Sequence, residues 1–289
     1  MLLSGCSELI LFNSKGPIAD SEHFLILVAF GLMLIVVLPV FVMAFWFARK
    51  YRASNTKADY RPNWAFSTKI ELAIWLVPII IVTILSYLAW TTSFQLDPYK
   101  PINPHSASLN IEVVSLDWNW LFIYPEQNIA VVNELVFPVN VPLSFKLTSA
   151  TVLTSFFIPQ LGSQMYVMAG MQTRLNLMAD EPGVFVGQNQ EFSGAGYSTM
   201  HFKAISTSPE KFKAWTQKAK ESPNKLNLAT YENLAKPNVD HDVTLYSSVE
   251  PDLFAYIMRQ FNPNLGRSPD RMNRTASANA KTIYSAEEN

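Results

Sequence analysis

The sequence predicts a membrane-anchored α+β protein: an N-terminal two-helix transmembrane hairpin followed by an all-β sandwich. Two long apolar runs without a charge stand at 24–48 and 72–96. From about residue 104 to 208 the pattern changes to short β-rich stretches separated by Pro-Glu, Val-Pro and Pro-Gly turns. The chain is 49% hydrophobic and 16% charged over 289 residues, enough to bury a full core with apolar sequence left over. That excess lies in the first hundred residues.

Residues 1–23 precede the first span. Leu3-Ser4-Gly5-Cys6 resembles a bacterial lipobox, whose cysteine becomes the lipidated first residue of the mature protein. The charged and apolar regions of an export signal are absent before it, so Met1 is expected to be internal to, or downstream of, the true start. An unpaired thiol is the alternative reading of Cys6. The run at 24–48, at about 1.5 Å per residue, exceeds a hydrocarbon core roughly 30 Å thick. Pro39 inside it is tolerated in a spanning helix. The run at 72–96 has its own Pro78, with Trp75 and Trp90 near its ends as interface anchors. The connecting segment carries Arg49, Lys50, Arg52, Lys57, Arg61 and Lys69, whereas the outer flanks offer Lys15 and Lys100. By the positive-inside rule the 49–71 loop is cytoplasmic and both termini face outward. Two buried helices of a soluble protein are the competing reading, and uncharged helices of this length are rare in soluble cores.

Strands are predicted at 109–116, 118–124, 129–137, 143–148, 173–178 and 197–205. Ser144-Phe145-Lys146-Leu147-Thr148 alternates as one buried face and one wet face. An antiparallel sandwich spanning about 104–208 is the economical arrangement.

Charge and metal arithmetic exclude several function classes. A net charge of −1 gives no reason to invoke nucleic acid. Cys6 is the sole cysteine, and His23, His105, His201 and His241 are scattered with no pair at ligand spacing, so no metal centre is predicted in this chain. No Ser-His-Asp set, phosphate-cradling glycine loop or paired catalytic carboxylates stands out.

GQNQEFSGAGYSTM at 187–200 resembles the copper-binding loop of cytochrome c oxidase subunit II, C-x-E-x-C-G-x-x-H-x-x-M. The cysteine places hold Asn189 and Ser193, the histidine place holds Tyr197, and Glu191, Gly194 and Met200 keep the pattern. TVLTSFFIPQLGSQMYVMAGMQTRL at 151–175 resembles the first ligand segment, with Thr154 at the histidine position. A bridged copper pair needs thiolate and imidazole donors, which an amide, a hydroxyl and a phenol do not replace. SLDWNWLFIYPEQ at 115–127, KYRASN, the KIE and VPI phrases at 69–79 and VEPDLFAYIMRQF extend the resemblance from the first span to about residue 263. The chain is similar to the haem-copper oxidase subunit II family, in its cytochrome bo-type quinol-oxidase branch, which lacks the dicopper site.

That resemblance implies a cupredoxin-like sandwich, a helical aromatic-rich segment over 209–265 and a bacterial inner-membrane location with the sandwich periplasmic. Residues 266–289, rich in Ser, Asn, Ala and charge, match nothing and are expected to be disordered. The implied partners are quinol oxidase subunit I, smaller membrane subunits and membrane lipid. Subunit I would carry haem b, haem o, copper and the site for ubiquinol, leaving no cofactor on this chain. The family places a glutamate at the position of Glu71, at the mouth of a proton path into subunit I. A helix-start carboxylate stabilised by the helix dipole is the alternative. Glu191 is either a retained contact to a metal at the border with subunit I or a loop carboxylate in a hydrogen bond. Met200 reads as a packed hydrophobe, and Trp118 and Trp120 as core or interface aromatics. Two rival functions remain at this stage: a free-standing membrane-tethered cupredoxin-like assembly lipoprotein, and a cytochrome c oxidase subunit II with a true dicopper site.

Overall fold

The structure, a computed structural model, describes residues 10–57, 63–104, 106–239 and 241–262. Cys6 and the 266–289 tail lie outside the described residues.

Helix α1 (Pro17–Lys50) opens with its proline in the first turn, where the missing N–H costs nothing, and closes on Arg49 and Lys50. Helix α2 (Thr68–Gln95) starts after Ser67 and ends at Leu96. Pro39 and Pro78 sit inside them without ending either helix. Both are long and apolar enough to cross a membrane, and their most apolar stretches are unburied in the isolated chain. Side-chain hydroxyls along α2 donate back to their own helix: Thr83 to Ile79 O at 2.8 Å, Thr92 to Leu88 O at 2.7 Å and Ser93 to Ala89 O at 2.6 Å. Such pairing lets a hydroxyl sit in an apolar setting. At the end of α1, the Lys50 ammonium lies 5.3 Å from the Trp46 ring and 5.6 Å from the Tyr51 ring, a cation–π arrangement suited to an interface.

Among the described residues the β domain has eleven strands: β1 (Leu109–Ser115), β2 (Trp120–Tyr124), β3 (Ile129–Val132), β4 (Glu134–Pro138), β5 (Leu143–Ser149), β6 (Thr154–Phe156), β7 (Met165–Val167), β8 (Thr173–Leu177), β9 (Gly183–Gln188), β10 (His201–Thr207) and β11 (Leu245–Tyr246). They form a six-stranded sheet in the order β11-β3-β2-β1-β5-β8, a three-stranded sheet β4-β10-β9 and a β6-β7 ribbon. The expected all-antiparallel pairing needs correction, because β1 pairs parallel with β5 and β4 parallel with β10. The physical cause lies in the predicted single strand 129–137. It breaks at Asn133, whose φ of 58° is a left-handed conformation that asparagine tolerates. β3 therefore stays in the large sheet while β4 crosses to the second. The Asn133 side chain holds the crossing: Oδ1 accepts from Trp120 N at 2.9 Å, and Nδ2 donates to Asn119 Oδ1 and His241 O, each at 2.9 Å. The last predicted strand, 197–205, instead begins at His201 after a 3-10 turn at Tyr197–Thr199.

Both faces of the large sheet are buried at β2 and β3, which is why these two strands read as continuous hydrophobic runs, while β1 and β5 keep partly exposed Glu112 and Lys146 on one face. One face, with Ile111, Val113, Trp120, Phe122 and Phe145, packs against the second sheet and the ribbon. There the rings of Phe156 and Phe202 stack at 5.2 Å, and Trp120 meets them edge-on at 5.5 and 5.6 Å. The other face, with Val114, Leu121, Ile123 and Val132, is covered by the C-terminal segment through Leu226, Tyr231, Leu234, Phe254 and Ile257. That segment contains α3 (Pro209–Lys220), α4 (Leu228–Leu234) and α5 (Leu253–Phe261). Ser208 caps α3 by accepting from Lys211 N, and Asn227 caps α4 by accepting from Thr230 N. Trp215 of α3 sets its ring edge-on against Tyr124 at 5.4 Å.

The hairpin is fixed to the domain at two points. Before α1, Lys15 N donates to Gln160 O at 2.8 Å, Lys15 O accepts from Asp180 N at 2.9 Å, and the Lys15 ammonium pairs with Glu181 at 2.6 Å. Gly16 passes so close that a Cβ there would lie 2.2 Å from Met178 O. Ile18 packs on the domain core, Ala19 is buried, and Ser163 bonds Glu22. After α2, Pro98 O accepts from both Asn176 N (3.1 Å) and Asn176 Nδ2 (2.9 Å).

Candidate site at the 187–200 loop

The loop connects two antiparallel neighbours, β9 and β10, and returns on itself through a bond from Asn189 N to Met200 O at 3.3 Å. Asn189 is its centre, only 5% exposed. Its Oδ1 accepts from Ser155 N (2.9 Å), Ser155 Oγ (3.3 Å) and Glu191 N (3.0 Å). Its Nδ2 donates to Glu191 O (2.7 Å), Ser193 Oγ (3.1 Å) and Met200 Sδ (3.4 Å). Ser193 Oγ also reaches Met200 Sδ at 3.8 Å.

The fold thus brings Asn189, Ser193 and Met200 together, with Glu191 joined through its backbone. It does not bring Thr154 or Tyr197 into that network. The buried Thr154 hydroxyl donates to Ser115 Oγ at 2.8 Å, on the other side of β6. Tyr197 reaches Gln190 O at 3.5 Å, and its ring lies 5.8 Å from that of Phe192.

Ser155 escaped the sequence reading, and so did the loop contact of Trp118, which reads there as a core or interface aromatic. Ser155 follows Thr154 and so points to the opposite face of the strand; its hydroxyl also accepts from Gln190 N at 2.7 Å. With φ of 66° Trp118 turns out of the β1–β2 connection, donates Nε1 to Ser193 O at 2.9 Å and lies across the loop glycines. A Cβ on Gly196 would sit 2.4 Å from its ring. Trp120, by contrast, is fully buried in the core.

The chemistry of this donor set does not fit a dicopper centre. The amide group donates to the one thioether that could ligate a soft metal, and the rest of the set is a neutral amide and hydroxyls. Among the described residues no group of three His, Cys, Asp or Glu side chains is placed to hold a metal ion. Asn189 is instead a structural knot. Asn189→Ala would take the amide partner from three donors and three acceptors, at about 1–3 kcal/mol per buried group left unpaired. We expect a loss of roughly 2–4 kcal/mol in domain stability, read from denaturant midpoints by tryptophan fluorescence; an unchanged midpoint would contradict the knot.

Glu71 lies at the opposite end of the molecule, in the first turn of α2 beside Lys69, with its backbone N–H donating to Ser67 O at 3.0 Å. It shares no contact with the loop site.

A family model described as the periplasmic domain of cytochrome c oxidase subunit II matches residues 89–206, and one described as the COX aromatic rich motif matches 220–264. Cytochrome bo(3) ubiquinol oxidase subunit 2 of Pseudomonas aeruginosa is 51% identical over 261 residues, covering 90% of this chain and 78% of that protein. Its counterpart from Pseudomonas putida is 50% identical over 268 residues, covering 92% and 85%. The solved periplasmic domain of cytochrome oxidase subunit II from Bradyrhizobium japonicum is 24% identical, covering 40% of this chain and 96% of that one, with a TM-score of 0.39. The length and level of identity to the two Pseudomonas proteins show that the chain belongs to the ubiquinol oxidase subunit 2 family.

Proposed function

We propose that the chain serves as the second subunit of a proton-pumping ubiquinol oxidase, the terminal oxidase of an aerobic respiratory chain that oxidises ubiquinol and reduces oxygen to water. It carries no redox centre of its own, and haem b, haem o, copper and the quinol site belong to subunit I. The observation that supports this reading is the sequence of the loop: it resembles an electron-accepting copper loop in its spacing, while Asn189, Ser193 and Tyr197, with Thr154 in the preceding segment, stand at the positions that this resemblance gives to copper ligands. Asn189 ties three of the loop's own groups to one another. The role is structural, with the hairpin packing on subunit I and the domain capping its outer surface.

In this reading residues 1–23 are a lipobox-bearing outer segment, 24–96 the hairpin, 104–208 the cupredoxin-like domain, 209–265 the aromatic-rich cover and 266–289 a tail. Basic residues between the helices support a cytoplasmic 49–71 loop, which leaves both termini and the domain periplasmic. Cys6 is the lipid attachment site.

Purification from detergent-solubilised membranes tests the assignment. The chain should co-elute with b- and o-type haem and support ubiquinol-dependent oxygen consumption. A haem-free monomer, or rapid reaction of the complex with reduced cytochrome c, would reject it.

Glu71 collects protons for subunit I at the start of α2. Glu71→Ala should slow oxygen consumption several-fold while the complex still assembles. A carboxylate acting on the helix dipole alone contributes about 0.3–1 kcal/mol and would leave turnover at the wild-type rate, which separates the two roles.

A further inference from the structure

The outer ends of α1 and α2 are held by separate parts of the β domain, one through Lys15 and the other through Pro98. Between them lies a crevice of about 450 Å³. Phe24, Leu25 and Leu88 line its deeper part, and Asp20, Gln95 and Leu96 line its outer part. Leu88 stands eight residues inside the outer end of the second apolar run at Leu96, roughly 12 Å along the axis at 1.5 Å per residue, which is acyl-chain depth in one leaflet of a bilayer whose hydrocarbon core is about 30 Å thick, and Phe24 and Leu25 open the first run beside it. Thr91 and Thr92, also on this wall, spend their hydroxyls on carbonyls of their own helix. The deep part is therefore apolar in effect.

The outer part is negative. The Asp20 carboxylate accepts a hydrogen bond from Ser14 and retains capacity for other donors. Asp180 and Glu181 stand nearby, and the neighbouring cation, Lys15, is bonded to Glu181. Burial, and then the charges of Asp20 and Glu181, hold the Asp180 carboxyl above its usual value, as expected where like charges face one another. An apolar slot under an acidic rim complements an amphiphile with a cationic head. It disfavours an anionic one.

We infer that this crevice binds one outer-leaflet phospholipid with a primary-ammonium headgroup, its acyl chain along Phe24, Leu25 and Leu88 and its ammonium at Asp20. The inference rests on the proposed insertion of the hairpin with its loop in the cytoplasm. The lipid fills the gap that the two domain attachments span and so braces the outer end of the hairpin.

Native mass spectrometry of the intact oxidase, reconstituted with equal phosphatidylethanolamine and phosphatidylglycerol, tests it. The wild type should retain one more phosphatidylethanolamine than Leu88→Trp, whose indole fills the slot. Asp20→Asn, a milder change that keeps the slot open, should retain the lipid but lose a several-fold preference for the ethanolamine head. Equal lipid counts in wild type and Leu88→Trp, equal retention of the two headgroups by the wild type, or cross-linking of Leu88 to a partner subunit would each overturn the assignment. Haem content and ubiquinol oxidation, measured on the same samples, report the oxidase reading separately. A lipid-free but active wild-type complex sinks only the lipid site.

Discussion

A chain ending after Lys220 should fail to accumulate as a folded protein. The outer face of the large sheet, including Val114, Leu116, Leu121, Ile123 and Val132, would then meet water, because its cover consists of Leu226, Tyr231, Leu234, Leu253, Phe254, Ile257 and Met258. Burying a Leu, Ile, Phe or Met side chain contributes about 1.5–3 kcal/mol, so this layer supplies on the order of 10 kcal/mol. A domain's whole net stability is about 5–15 kcal/mol. The truncation also removes two acceptors of the crossing network, since Asn119 Nδ2 donates to Asn238 O and Asn133 Nδ2 to His241 O. A single-residue version, Ile257→Ala, should cost about 2–5 kcal/mol. Immunoblots of membrane fractions and limited proteolysis read the truncation, and thermal melts read the point variant. A truncated domain that resists protease as the full chain does would show that the cover is dispensable.

The second large effect is expected at Gly187, two residues before the Asn189 knot. Gly187 pairs across the ladder with Phe202, and a Cβ on Gly187 would lie 2.0–2.4 Å from three atoms of the Phe202 ring. The ring lies over the glycine because no side chain occupies that place. It has little room to retreat: it stacks on Phe156 and contacts Trp120 and Phe122 at 5.6 and 5.0 Å. Gly187→Ala should therefore destabilise the domain by about 3 kcal/mol or more, at the upper end of overpacking penalties. Pairing it with Phe202→Leu, which vacates the space, should recover much of the loss, because the two sites share one clash. Melting temperatures of the two single variants and the double variant decide the matter. Simple additivity would place the cause elsewhere.

Much of this was legible in the residues alone because the signals were strong and local. Two uncharged apolar runs with prolines tolerated inside them read directly as two helices long and apolar enough to span a membrane. The parallel pairings were not legible. They follow from one left-handed asparagine, Asn133, inside a run that reads as unbroken strand. β6, β7 and β11 are two or three residues long, too short for a period to emerge. Ser155 and Trp118 joined the site for reasons set by strand facing and by a positive φ, neither of which composition reveals. Thr154 was placed by alignment with a ligand position, yet its hydroxyl serves the interior of the β1–β6 contact.

The attachment around Lys15 and Ile18 constrains biosynthesis. Ile18 completes a core whose other walls come from residues far later in the chain, among them Leu177 and the 158–162 turn that passes beside it. Those later residues reach the same side of the bilayer only after the ribosome has delivered both crossings. In the proposed topology the N-terminal stretch therefore waits, exported and unsheltered, until β8 emerges, which makes closing this junction one of the last steps in maturation.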